Sequence, residues 1–198
     1  NIEKTLARFA QRAGSGDQVV IVLIGHGSAA LEDSKLSLPG PDLSARDLAR
    51  DLGQFATQPV ALVNLTSASG DMVRVLSGAN RVIVTATKSS FERNESVFGG
   101  YFIDALTGDG ADTDKDGRVS LLEAFRYAAA ETKRHYEQIS KLQTEHAQLD
   151  DDGDKQGSGE PDPRVAVENG KGDGLLARRM FIGGGTFAAR GGANDPKL

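Results

Sequence analysis

Three apolar runs constrain this chain more than any other feature: Val19-Val20-Ile21-Val22-Leu23-Ile24, Val60-Ala61-Leu62-Val63-Asn64-Leu65 and Arg81-Val82-Ile83-Val84-Thr85-Ala86. Each is short, rich in β-branched residues and bounded by polar or glycine-containing segments, the pattern of a strand rather than a helix. The segments between them change period. Leu48, Leu52 and Phe55 recur at helical spacing within 43–55, and Met72, Val75 and Leu76 do so after the second run. Strand–helix–strand alternation predicts an α/β fold with a mainly parallel sheet, helices on both faces and right-handed connections. The first run is the unbroken kind that is buried on both faces of a parallel sheet, and it is expected to be so buried here. A helix over 2–13, with Ile2, Leu6, Phe9 and Ala13 on one face, precedes it across a turn at Gly14–Asp17. Residues 28–42 read as a polar loop, and Ser44 with Asp47 three residues on is a capping-box signal for the next helix.

Beyond the third run a helix is expected over Phe98–Leu106 and a longer one from about 120 to 142, carrying Leu122, Phe125, Ala129, Thr132, Tyr136 and Ile139. Asp150–Pro163 reads as an acidic loop, and the glycine-rich residues 183–198 as a linker, leaving one domain over 1–182. Hydrophobic residues at 38% are enough for a core of that size. The net charge of −5 with clustered acids argues against a nucleic-acid surface, which needs a basic stripe. No apolar run approaches the roughly 20 residues that span a bilayer. The absence of cysteine excludes disulfides, zinc–thiolate sites and a thiol nucleophile in this chain. A start at Asn1 without methionine is expected of a piece of a longer protein, with the remainder as its covalent partner.

Residues 112–123 carry the most specific motif. Asp112-Thr-Asp114-Lys-Asp116-Gly117-Arg118-Val119-Ser120-Leu-Leu-Glu123 fits the twelve-residue EF-hand calcium loop. Calcium takes six to eight oxygens, which explains the pattern. Carboxylates of Asp112, Asp114 and Asp116 converge because Gly117 permits a sharp turn. The Arg118 carbonyl, Ser120 (directly or through water) and a bidentate Glu123 complete the set. Glycine at 108 and 110 prevents a helix from running straight into Asp112, so a single structural loop fused to one helix is expected rather than a paired sensor. Asp150-Asp151-Asp152-Gly153-Asp154 also alternates carboxylates, without a good twelve-residue register, and reads equally as a second metal site or a solvated loop.

The ends of parallel strands are where open α/β sheets carry their sites. His26 follows the first run, Ser67 the second and Lys88–Ser96 the third. The combination of strand plus His26-Gly27-Ser28 and strand plus Thr66-Ser67-Ala68-Ser69-Gly70-Asp71-Met72 resembles the legumain branch of the caspase-like peptidases. That branch has His-Gly-Ser followed by Glu-Ala-Cys-Glu-Ser-Gly-Ser-Met. The likeness covers roughly residues 15–107, including Leu38–Leu48 and the pocket strand and loop from Val84 to Ser96.

The resemblance implies a caspase-like domain, N-terminally incomplete because the family's first strands are absent, that acts on a peptide or protein. His26 would be the catalytic histidine and Ser67 the residue at the nucleophile position, with the backbone N–H groups of Gly27 and Ser67 as oxyanion donors. Ala68, Glu95 and Ser96 would border the substrate. Leu65 and Ala68 replace the family's acidic residues, so its asparagine specificity is not carried over. Serine in place of cysteine leaves three readings open: a pseudo-peptidase that binds through the same cleft, a true serine hydrolase, or a substitution that traps a cysteine enzyme. The affinity of isolated extracellular-type calcium loops, about 10⁻⁴–10⁻³ M, suits an exported protein in millimolar calcium.

Overall fold

In a computed structural model that describes residues 1–30, 33–169 and 171–182, the three apolar runs form neighbouring strands β1 (Val19–Leu23), β5 (Val60–Asn64) and β6 (Arg81–Thr85). The intervening polar segment holds β2 (Gly27–Ala30), β3 (Asp33–Leu36) and β4 (Leu43–Ser44), and β7 (Gln148–Asp150) comes late in the chain. The main sheet runs β1-β5-β6-β7; β1, β5 and β6 are parallel, in register Val20↔Ala61↔Val82, and β7 is antiparallel to β6. The fold is mixed α/β with a mainly parallel sheet, as expected. The linker expected over 183–198 lies outside the described residues.

Among the described residues the helices are α1 (Ile2–Arg12), α2 (Ala45–Leu52), α3 (Met72–Leu76), α4 (Phe98–Thr107), α5 (Leu121–Gln138) and α6 (Pro163–Asn169), and α2 to α5 cover the two faces of β5. Every residue of β5 is buried. Ala61 and Val63 face a core of Phe98, Phe102 and Phe125 from α4 and α5, and Val60 and Leu62 face Leu48, Leu52, Met72 and Leu76 from α2 and α3. The two-residue period of a strand thus feeds two separate cores. The capping box at Ser44 forms: the Asp47 N–H donates to Ser44 Oγ at 3.2 Å and the Ser44 N–H returns to Asp47 Oδ2 at 3.3 Å.

Five expectations need correction. The run 19–24 is not buried on both faces. It forms an edge strand, with Val22 37% exposed and Ile24, just past its end, 71% exposed, because apolar content alone does not separate a central strand from an edge one. The polar segment expected as a loop is a small antiparallel sheet, β2-β3-β4, held by backbone pairing that leaves little apolar signature. Helix α2 stops at Leu52 ahead of Gly53, and α5 stops at Gln138, before Ser140 in a left-handed conformation (φ 53°). The acidic stretch also begins with a strand: Leu149 and Asp150 are fully buried in β7.

Candidate functional site

Because β1 and β5 are adjacent and parallel, with Leu23 beside Asn64, their C-terminal ends release His26-Gly27 and Thr66-Ser67 side by side. The approach is close. A Cβ on Gly27 would lie 1.8 Å from the Ser67 carbonyl oxygen and 2.5 Å from Thr66 Oγ1, so only glycine fits. His26, Ser67, Glu95 and Ser96 line one cleft of about 490 Å³, whose opposite wall is the start of α4. Ala68 is not among the residues that line it. Its side chain is 1% exposed, its backbone is left-handed (φ 52°), and its N–H donates to the Glu92 carbonyl at 2.8 Å.

The loop that carries Ser67 is braced from both sides. The Thr66 N–H donates to Asn64 Oδ1 at 3.0 Å, and the N–H groups of Ser69 and Gly70 converge on Thr87 Oγ1 at 2.8 and 3.0 Å. Asp71 accepts from the Ser90 N–H (3.0 Å) and from Arg74 (2.5 Å). Burial pushes the Asp71 carboxyl up, but these bonds outweigh it and hold the pKa below the ordinary 3.8. Glu145, 1% exposed, holds the cleft wall. It accepts from the Val97 N–H at 2.9 Å, the Ser96 hydroxyl and the Tyr136 hydroxyl. No sequence signal marks Glu145, whose neighbours read as a polar connector.

Among the described residues, neither the hydroxyl nor the N–H of Ser67 has a hydrogen-bond partner, and the exposed ring of His26 has none. The pair is therefore assembled on one cleft but not coupled at rest. A free hydroxyl and a free N–H beside a histidine can receive a carbonyl group, the hydroxyl as nucleophile and the N–H as donor to its oxygen.

Carboxylate oxygens of Asp112, Asp114 and Asp116 all lie within 4.8 Å of one another. The backbone is shaped for this. Gly117 is left-handed (φ 81°), and its N–H donates to Asp112 Oδ2 at 3.0 Å. Asp116 N–H bonds Asp114 Oδ1 (3.2 Å), and Arg118 N–H bonds Asp116 Oδ1 (2.8 Å). Asp112 Oδ1 is buried and has no hydrogen-bond partner, an expensive state for a carboxylate oxygen unless a cation meets it. Glu123 is not in that cluster. Its carboxylate accepts from the N–H and hydroxyl of both Ser120 and Thr113, closing a capping box at the start of α5. Burial raises its pKa, yet these bonds win and leave it below its ordinary 4.5. Val119 packs inward at 6% exposure, and Arg118 stacks its guanidinium 3.6 Å over the Phe181 ring.

The second acidic segment repeats half of this loop. Oxygens of Asp150, Asp152 and Asp154 lie within 4.8 Å of one another. Asp154 N–H bonds Asp152 Oδ1 (2.9 Å) and Gln156 N–H bonds Asp154 Oδ1 (2.7 Å), the same offsets as in the first loop. Left-handed Gly153 and Lys155 stand where Lys115 and Gly117 stand there. The likeness fails where the first loop has Glu123, since the corresponding residue is Pro161. Burial pushes Asp173 up to about 7, with the charges of Asp151, Asp150 and Asp152 adding to it. Both acidic clusters can hold a metal ion.

No protein-family model matches the chain, and a search of curated proteins returns no relative.

Proposed function

We propose that the chain is a caspase-like peptidase domain of the legumain type that binds an extended peptide in the strand-end cleft and cleaves it by acyl transfer. The observation that carries this reading is the contact of Gly27 with the Ser67 backbone, which sets His26 and Ser67 on one cleft. In the reaction, Ser67 Oγ adds to the scissile carbonyl as its proton passes to His26. The Ser67 N–H, free of any described partner, is available to the oxygen that gains charge. The carbon–nitrogen bond then breaks, with the proton delivered from His26 to the leaving amine. Water, losing a proton to His26, hydrolyses the ester and restores Ser67.

The first acidic loop is proposed to bind Ca²⁺. An all-oxygen donor set suits a hard cation. Asp112, Asp114 and Asp116, the Arg118 carbonyl, Ser120 and Glu123 would hold it, and the unpartnered Asp112 oxygen supports the fit. The ion would supply charge neutralisation at the start of α5.

A second reading has a specific observation in its favour: Ser67 and His26 share no hydrogen bond, whereas a serine needs a base in contact with it. A thiol tolerates looser coupling because a few per cent is ionised at neutral pH. On that reading the domain binds peptide without cutting it. The deciding experiment compares cleavage of a broad peptide library, with calcium, by the wild type, Ser67→Cys, and Ser67→Cys with His26→Ala. Cleavage by Ser67→Cys that vanishes without His26 is the expected result. Failure of both serine and cysteine forms to cleave overturns hydrolysis and leaves the binding module.

A further inference from the structure

The cleft holds a second feature that says which side chain it accepts. Among the described residues that line it Leu65 alone is buried, at 8% exposure, and we take it as the floor. Ile24 and Ile103, 71% and 40% exposed, also line it, and neither joins the two cores formed by the described residues. Gly99 and Gly100, successive residues of α4, present backbone instead of side chains between them; the region around Gly100 is open, with no atom within 4 Å of a Cβ placed there. Two isoleucines that remain in water beside an apolar floor and a glycine step make a small greasy socket adjoining Ser67.

The polar groups of the cleft do not compete with this. Arg93 and Glu95 are both exposed at the rim, and their charges cancel. Arg93 already donates to the Ser90 carbonyl at 3.2 Å, and the Ser96 hydroxyl is committed to Glu145. Strong selection of a polar side chain needs buried groups that would go unpaired with any other ligand. The buried floor here offers none.

We propose that the substrate residue adjoining the scissile carbonyl carries a medium-sized aliphatic side chain, leucine or methionine in size, packed on Leu65 between Ile24 and Ile103. The inference rests on the peptide-cleft reading above and names its substrate class. An acidic, basic or amide side chain seated against Leu65 would lose its hydration there, while the charges that could answer it, on Arg93 and Glu95, stand exposed to water.

The test separates the two ideas. Peptide mixtures with randomised upstream positions and a fixed C-terminal Leu, Met, Asn, Asp or Lys amide are titrated, with calcium, against the chain carrying Ser67→Ala, which prevents turnover. The Leu and Met mixtures are expected to bind about tenfold or more tighter than the other three. Ile24→Glu and Ile103→Glu, both at exposed positions and checked for unchanged melting, are each expected to erase that preference. Equal or tighter binding of the Asn, Asp or Lys mixtures overturns the inference, as does a Leu preference that survives both isoleucine changes. Cleavage of the library by Ser67→Cys reports the peptidase reading separately. Cleavage without aliphatic preference sinks this inference alone. Aliphatic-selective binding without cleavage upholds it and sinks hydrolysis. If no mixture binds, this inference falls, and the peptidase reading falls with it only where Ser67→Cys also fails to cleave.

Discussion

Gly27→Ala is the most direct perturbation of the join between the two strand ends. The added methyl would sit 1.8 Å from the Ser67 carbonyl oxygen and 2.5 Å from Thr66 Oγ1. Comfortable non-bonded contacts lie near 3.5 Å, so the strand ends must part by well over an ångström. The principal obstacle is backbone, which cannot rotate aside, and it is braced through the bond from the Thr66 N–H to Asn64. Overpacking of this kind costs about 3 kcal/mol, at the upper end of the usual range. For a chain of this size that lowers the melting temperature by roughly 6–12 °C. Gly100→Ala is the matched control, because its Cβ meets nothing within 4 Å and lies inside α4. Replacing a helical glycine by alanine gains about 0.5–1 kcal/mol, or roughly 1–4 °C. Scanning calorimetry of the two variants beside the wild type reads both signs. If Gly27→Ala melts within about 2 °C of wild type, the strand ends are not in the contact described and the argument for a shared cleft loses its support.

Two further outcomes follow from the acids. Calcium at about 100 times its dissociation constant adds about 2.7 kcal/mol, so melting in calcium should exceed melting in chelator by roughly 5–10 °C; Asp112→Asn should remove most of that gap, and identical melting curves would rule out the site. Asp71, held below the ordinary carboxylate pKa by Ser90 and Arg74 against its burial, contributes stability that is present above pH 3.8 and lost as pH falls through its lower native value. Asp71→Asn should therefore cost about 1–3 kcal/mol at pH 7 by urea midpoint, with the difference from wild type shrinking as the pH is taken below 3.8.

What the sequence revealed depended on whether a residue's role was local. The acidic loop was legible because its carboxylates, turn glycine and β-branched residue all act within twelve positions. The parallel strands were legible from composition, and His26 and Ser67 from their places at strand ends. The edge position of β1 was not, since Val19–Leu23 reads like the central Val60–Asn64 and only the topology exposes Val22. Strands β2–β4 and β7 were missed because short pairings are held by backbone groups that every residue carries. Glu145 was invisible because its partners Val97 and Ser96 lie 48 and 49 residues away. The alternating carboxylates of Asp150–Asp154 were legible as a second candidate, but not their match to the first loop, because a glycine and a lysine exchange the two left-handed positions.

The first acidic loop and the cleft are distant in sequence but meet through one helix. Helix α5 begins at the Ser120 cap, and Phe125 packs its ring 5.9 Å from that of Phe98, the first residue of α4. Near its other end Tyr136 bonds Glu145, which in turn holds Val97 and Ser96. The wall formed by Ser96, Gly99, Gly100 and Ile103 is thus fixed to α5 at two separated points. Whatever orders the first turn of α5 also fixes the wall, because close-packed aromatic contacts pass displacement on rather than absorb it. A cation bound at Asp112–Glu123 would therefore reach the cleft wall through α5, by way of the Phe125–Phe98 packing and the Tyr136–Glu145 bond, and would bear on how firmly that wall is held.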